Sequence, residues 1–341
     1  MIIAMVTGSY PPDTCGVGDY TYRLSEALRT MNENVEIITH RRWNASDAPL
    51  LAKHIDSLEP DIIHIQYPTI GFGRNLAPQV LNLMRPCVVT LHEVSQSHLL
   101  RKLSLVPFYL HAKHLIFTNT NECEYARSWN ASISGRSTVI PLGSYISSAA
   151  PAGIRDVSEI VHFGLARPNK GLEEVIALAE LIGLQNLPYH IRIITKPHPQ
   201  QLDYYYILRK RTNTLPVIWN IDLPDHEVAA LLSRAAVGYL PYPDGVSERR
   251  TSLLALLANG VATITTRGYQ TPPSMCDIAE FARDPGHALY LVRTLVDNDE
   301  KRINLAKRGY DYAKQFTWDK IAKAHLDVYN KLVARNTISK K

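Results

Sequence analysis

Short runs of β-branched and aliphatic residues recur along the chain, and between them apolar positions return every three or four residues. The first set of runs is IIAMVT (2–7), VEIIT (35–39), DIIHIQY (61–67), CVVTLH (87–92), HLIFTN (114–119) and STVIPLG (137–143), with helical patterns at 17–31, near 48–57 and near 76–84. Strand–helix alternation of this kind predicts a parallel sheet with helices on both faces. A small-residue stretch, SYISSAAPAGIRD (144–156), reads as a linker. The pattern then restarts with IVHFG (160–164), YHIRIIT (189–195), PVIWN (216–220), AVGYLPY (236–242) and VATITT (261–266), and with helices from about 171, near 201–211, from 225 and after 248. The expected architecture is α/β: two tandem Rossmann-like, doubly wound domains, 1–148 and 149–317, facing across a cleft at the carboxyl ends of their strands. A last helical segment, 318–341, follows. Its apolar positions, Ile321, Ala322, Leu326, Val328, Tyr329 and Leu332, fall close to one stripe.

With 341 residues, 45% hydrophobic and 20% charged, the chain can bury a large core. Cys15, Cys87, Cys123 and Cys276 lie far apart, which argues against a zinc site or a disulfide framework and for a reducing cytoplasm. MIIAMVTGSYPP has no basic leader and too short an apolar run for a signal or a membrane span, so it reads as a first buried strand. The net charge is +5, yet residues 1–150 balance at 12 Lys/Arg against 12 Asp/Glu. The surplus belongs to the second half, where an anionic ligand and a basic tail are both adequate explanations.

Four stretches offer chemistry. In TGSYPPDTCGVGDYTYRLSEAL, Gly16, Val17 and Gly18 read as a short loop ahead of a helix, where a ligand can approach the backbone, or as a plain turn. VVTLHE puts His92 at the carboxyl end of a buried strand, as a site residue or a structural one, with Glu93 beside it. HFGLARPNKG ends a strand at Gly164 and then supplies Arg167 and Lys170, a pair suited to a diphosphate or a solvated surface loop. In PYPDGVSERRTSLLALLANG, Gly245, Val246 and Ser247 are expected to offer free N–H groups ahead of a helix, Ser247 as its N-cap, with Arg249 or Arg250 assisting. DND (297–299) reads as a polar turn with a capping Asp rather than a metal motif. The segment 98–115, HLLRKLSLVPFYLHAKHL, mixes cations and apolar residues. It suits either peripheral contact with an anionic membrane face or a core-facing helix with a basic outer side, interrupted at Pro107.

Taken in order, these stretches resemble the retaining GT-B fold glycosyltransferases of family 4. The carriers are SYPPDTCGVGDYTYRLSEAL, VTLHE, HFGLARPNKGLEEVIAL, LPDHEVAALLSRAAVGYLPY, SERRTSLLALLANGVATITT and FTWDKIAKAHLDVYNKLV, spread over nearly the whole chain. The resemblance implies a nucleotide-sugar donor, UDP-linked, held by the second domain, and an acceptor glycan or lipid-linked saccharide at the first, with the last helix crossing back to it. It implies that Arg167 and Lys170 contact the diphosphate, that His92 lies at the transferred sugar, that Gly16–Gly18 close over the donor, and that the segment around Leu223 holds the base. No metal or other cofactor is implied, and no nucleic acid. The setting implied is cytoplasmic cell-surface polysaccharide synthesis. The chain departs from the family where a pair of Glu residues is expected before Gly260: the second, ribose-holding position is Ala255, or Leu256 if counted from Glu248. Glu248 then remains as a ligand for the donor sugar's hydroxyls. The lost carboxylate also keeps open a catalytically silent GT-B protein that binds nucleotide or assembles with partners.

Overall fold

The computed structural model describes residues 1–13, 15–148 and 154–339, apart from the side chains of 199 and 336–339. The middle of the stretch read as a linker, 149–153, and the last two lysines of the basic tail lie outside the described residues. The chain divides into two compact units, Met1–Gly143 with Trp318–Lys341, and Ser144–Thr317.

The first unit is a parallel six-stranded sheet in the order β2-β1-β3-β4-β5-β6. Its strands are β1 (Ile2–Val6), β2 (Asn34–Ile38), β3 (Ile62–Tyr67), β4 (Val88–Leu91), β5 (His114–Phe117) and β6 (Ser137–Val139). Between them run α1 (Gly16–Thr30), α2 (Ala48–Asp56), α3 (Ala77–Met84), α4 (Leu99–Ser104), α5 (Val106–His111) and α6 (Thr120–Trp129). β4 is buried at every position, Thr90 included, as a strand covered on both faces must be.

The second unit repeats the plan in the order β12-β11-β10-β7-β8-β9. Its strands are β7 (Asp156–Ala166), β8 (His190–Pro197), β9 (Val217–Ile221), β10 (Ala235–Leu240), β11 (Ala262–Thr265) and β12 (Glu280–Phe281). Its helices are α7 (Leu172–Leu184), α8 (Leu202–Arg211), α9 (Asp225–Arg234), α10 (Thr251–Ala258), α11 (Pro285–Asp297) and α12 (Asp299–Ala313). The final helix, α13 (Trp318–Ser339), belongs to the first unit. There its Ile321, Ala322, Tyr329 and Leu332 pack with Tyr20, Leu24 and Leu28 of α1.

Several local expectations need correction. Gly16, Val17 and Gly18 are the first turn of α1 rather than a loop ahead of it, with Cys15 at the N-cap. β7 begins at Asp156, inside the stretch read as a linker, because it pairs with β8 on one side and β10 on the other. β6 stops at Val139, short of the apolar run that suggested it. Pro107 sits in the first turn of α5, where its missing N–H is no loss. The cap in 297–299 is Asn298, whose side chain accepts from the Lys301 N–H at 2.8 Å, and not an aspartate.

Candidate functional site

In the second unit the strand order reverses between β7 and β10, so the connections after these two strands leave in opposite directions and open a crevice at their carboxyl ends. Two glycines let the loops there pack backbone to backbone. Gly171 is left-handed (φ +81) and a Cβ on it would overlap the Pro241 carbonyl. Gly245 (φ +81) is pressed in the same way against the Gly268 backbone. The first contact brings the turn before α7 against the segment that leaves β10, and with it Lys170 towards Arg250.

Lys170 is half-buried, and its ammonium is pushed down to about 8, chiefly by loss of water and further by the charges of Arg167 and Arg250, with Asp244 opposing. Arg250 lies over the Tyr242 ring, 4.4 Å from its centre, and pairs with the Asp244 carboxylate. Its Nε is buried with no hydrogen-bond partner among the described residues. Tyr242 is fixed by a 2.8 Å hydrogen bond between its hydroxyl and that of Ser252, and burial raises its phenol to about 12. Arg250 is the N-cap of α10, while Lys170 precedes the N-cap of α7, so two helix starts and two part-buried cations converge. Beside Gly164, His162 Nε2 and Thr195 Oγ1 are further buried polar atoms without partners among the described residues. The His162 Nδ1–H donates to the Tyr239 carbonyl at 2.9 Å, and burial holds the ring's pKa down at about 4. A cavity of about 680 Å³ at the ends of β10, β11 and β12 shares Pro241 and Tyr242 with this cluster.

The other residues singled out in this region are placed differently. Arg167 is exposed and its backbone N–H is turned back to the Leu165 carbonyl at 3.0 Å, but its charge acts on Lys170, so it stays at the edge of the cluster. Gly245 and Val246 do not offer free N–H groups: the first donates to the Tyr242 carbonyl at 2.9 Å and the second to Thr266 at 2.9 Å. Ser247 is not the N-cap, because α10 starts four residues later and Ser247 accepts the Arg250 N–H at 3.1 Å in a preceding turn. Glu248 stands near Tyr312 of α12, whose phenol its charge helps to raise, rather than among the groups around Lys170. Leu223 follows β9 and packs on the apolar cluster that contains Leu240 and Tyr242. Ala255 and Leu256 are fully buried in the core. The carboxylate that does join the cations is Asp244, which the sequence pattern gave no reason to select.

In the first unit, His92 is half-buried at the end of β4, edge-on to the Tyr20 ring at 4.7 Å. Its Nε2–H donates to Gln66 Oε1 at 2.9 Å, and the Gln66 amide donates in turn to His64 Nε2 at 3.3 Å. The same His64 nitrogen lies 2.7 Å from the Thr90 hydroxyl, and His64 Nδ1 is hydrogen-bonded to the Tyr329 hydroxyl of α13 at 2.5 Å. With the Gln66 carbonyl oxygen facing His92 Nε2–H, His92 Nδ1 is left as an acceptor. Burial, and secondarily His325, lower His92 to about 3, so the imidazole is neutral at physiological pH. Gly18 is buried with its Cα close to the Ser9 carbonyl, Gly16 faces open space, and the Val17 carbonyl accepts from Thr21 Oγ1 at 2.7 Å.

Among the described residues, one group has metal-ligand spacing: Asp156, Glu159 and His190. It sits at the starts of β7 and β8, where Arg192 and His190 already pair with Glu159 at 2.7 and 3.0 Å.

No protein-family model matches the chain, and no curated protein matches it. Solved structures do. Sucrose-phosphate synthase from Thermosynechococcus elongatus superposes with a TM-score of 0.68 at 15% identity, over 98% of this chain and 100% of that one. Anabaena HepE, solved with UDP and glucose, gives 0.70 at 14%, over 97% and 100%. A glycosyltransferase from Rickettsia africae gives 0.68 at 12%, over 97% and 98%. The fold is therefore GT-B, with two parallel six-stranded sheets.

Proposed function

We propose that the chain is a retaining, metal-independent glycosyltransferase that moves a hexose-type unit from a nucleoside diphosphate sugar, UDP-linked, to a hydroxyl on a glycan or lipid-linked saccharide. The observation that carries the reading is the Lys170–Arg250 cluster at the strand-order reversal. Two cations are held there in partly desolvated positions, and Asp244 neutralises only one of them. An incoming diphosphate supplies the missing negative charge. As the sugar–phosphate bond breaks, charge grows on the leaving diphosphate, and preorganised cations at two helix starts stabilise that growth more than the ground state. His92, neutral and fixed in one tautomer by Gln66, offers Nδ1 as an acceptor to a sugar hydroxyl. The likeness to structures such as HepE, solved with UDP and glucose, supports the donor class. Four free cysteines support action in a reducing cytoplasm, and the family resemblance alone suggests cell-surface polysaccharide synthesis.

A second reading, a silent nucleotide-binding or assembly protein, rests on Ala255 and Leu256. They fill the core where a ribose-holding carboxylate was expected. A panel of UDP, GDP, ADP and TDP sugars separates the readings. Glycosyl transfer or slow donor hydrolysis that is lost in Lys170→Met establishes the enzyme. Thermal stabilisation by a nucleotide without turnover on any acceptor establishes the silent protein. Absence of any thermal shift removes the donor site altogether.

A further inference from the structure

A long stretch of the first unit that is poor in negative charge also exposes a set of aliphatic side chains. Between residues 62 and 121 Glu93 is the one acidic residue, against Arg74, Arg85, Arg101, Lys102 and Lys113. Within it, α4 and α5 are joined by Leu105 in a helical conformation (φ −81, ψ −16), so the backbone turns on with no break in handedness. Leu105, Phe108, Tyr109 and Ala112 face the core. Leu99, Leu103, Val106 and Leu110 follow one another at steps of four, three and four, and all are exposed, Leu99 at 64%. Leu100, at 74%, lies beside them. Steps of that size align on one helical stripe, the stripe that a surface helix normally turns inward. Here the inward side is already filled, so the stripe is left over. Exposed Ile70 and Leu76 lie in the adjoining loop, which the Arg101 guanidinium reaches through the Gly73 carbonyl at 3.4 Å.

The cations around the stripe decide its occupant. Arg74, His98 and His111 are exposed and Arg101 is half-buried, whereas Lys102 is turned aside to the Tyr125 hydroxyl at 2.7 Å. A second copy docked about a two-fold axis would set this basic rim against itself. A bilayer carrying anionic phospholipid satisfies both features, since acyl chains take the leucines and headgroups take the arginines. Among the described residues no helix is long and apolar enough to cross a membrane, so the contact is peripheral.

We propose that the α4–α5 stripe seats this protein on an anionic phospholipid surface, with Leu99, Leu100, Leu103 and Leu110 in the acyl boundary and Arg74 and Arg101 at the headgroups. This deepens the acceptor reading above by naming the surface on which a lipid-linked acceptor would be met, but the binding itself does not depend on sugar transfer. The test is co-sedimentation of the full chain with vesicles of phosphatidylcholine alone and of phosphatidylcholine mixed with phosphatidylglycerol. The expected result is binding to the mixed vesicles only, weakening as salt is raised. Two variants act through different forces: Leu99→Ser/Leu103→Ser/Leu110→Ser should lower the partition at least about tenfold, and Arg74→Gln/Arg101→Gln roughly fivefold per cation removed. Equal binding to neutral vesicles, no binding to either, or full binding by the leucine variant would overturn the proposal. A concentration-dependent dimer abolished by the leucine variant would replace it with self-association. Vesicle binding that fails in a protein still stabilised by nucleotide sugars condemns the surface alone and leaves the donor site standing.

Discussion

Replacing Lys170 by Met should make the protein more stable and less able to hold a diphosphate. The ammonium's pKa falls from 10.5 to about 8 through burial and the nearby Arg167 and Arg250 charges. At about 1.4 kcal/mol per unit, that drop corresponds to about 3 kcal/mol of destabilisation at pH 7, and residual water contact at a half-buried site reduces it to about 2. Methionine fills a similar volume without the charge. In a unit of this size, roughly 2–4 °C accompanies each kcal/mol, so the variant should melt about 4–8 °C higher. The sign with pH follows from proton counts. Between about pH 8 and 10.5 the unfolded lysine holds its proton while the folded one has lost it, so wild-type stability through this group rises with pH in that window. The full penalty is present below pH 8, and the gap between variant and wild type should shrink to under about 1 kcal/mol by pH 10. Denaturant midpoints at pH 7 and pH 10, with UDP binding measured alongside, test this. A variant no more stable than wild type at pH 7, or a gap unchanged at pH 10, would refute the account of Lys170 as a strained cation awaiting an anion.

Gly171→Ala combines a disfavoured positive φ with overlap of the Pro241 carbonyl, and should cost at least about 2 kcal/mol in urea unfolding; a loss under half that would mean the loop adjusts freely. Buried His64, His162 and His325 and half-buried His92 are all held below their ordinary pKa, chiefly by loss of water, so the unfolded chain binds more protons below pH 6.5. Stability should therefore fall as pH drops from 6.5 towards 4, with uptake approaching about three protons on unfolding, and a flat melting temperature across that window would contradict it. In the folded protein the His92 ring signals in NMR should show no titration between pH 5 and pH 8.

The two sheets were legible because fully covered parallel strands must be apolar at nearly every position, a pattern that survives without any knowledge of the partner strand. Glu280–Phe281 is too short to show a period, and its strand character comes only from pairing with β11. The site was legible in part. Lys170 was recognisable from its position after a strand and before a helix. Gly245 and Val246 looked like phosphate donors for the same reason, yet their N–H groups are consumed by Tyr242 and Thr266, a fact set by tertiary packing of the loop. Choosing between Arg249 and Arg250 depended on where α10 begins, and helix starts are the least certain feature of a sequence pattern. Gln66 could not be selected from sequence, since its value lies in bridging His92 on β4 to His64 on its own strand.

The balance of forces in the second unit ranks its ligands. Ala255 and Leu256 put no carboxylate at the positions where the resemblance led one to be expected, while the Lys170 ammonium and the Arg250 Nε, unpartnered among the described residues, stand ready for an anion. Charge-assisted contacts to a diphosphate are each about twice as strong as neutral hydrogen bonds, so the phosphates should supply most of the affinity. Inorganic pyrophosphate should then raise the melting temperature by more than half of the shift given by equimolar UDP, and uridine by little. Both phosphate effects should weaken above pH 8, as Lys170 loses its proton, and should be lost in Lys170→Met. If uridine instead matched UDP and pyrophosphate did nothing, the nucleoside would be the principal contact, and recognition would have to lie away from the cation cluster.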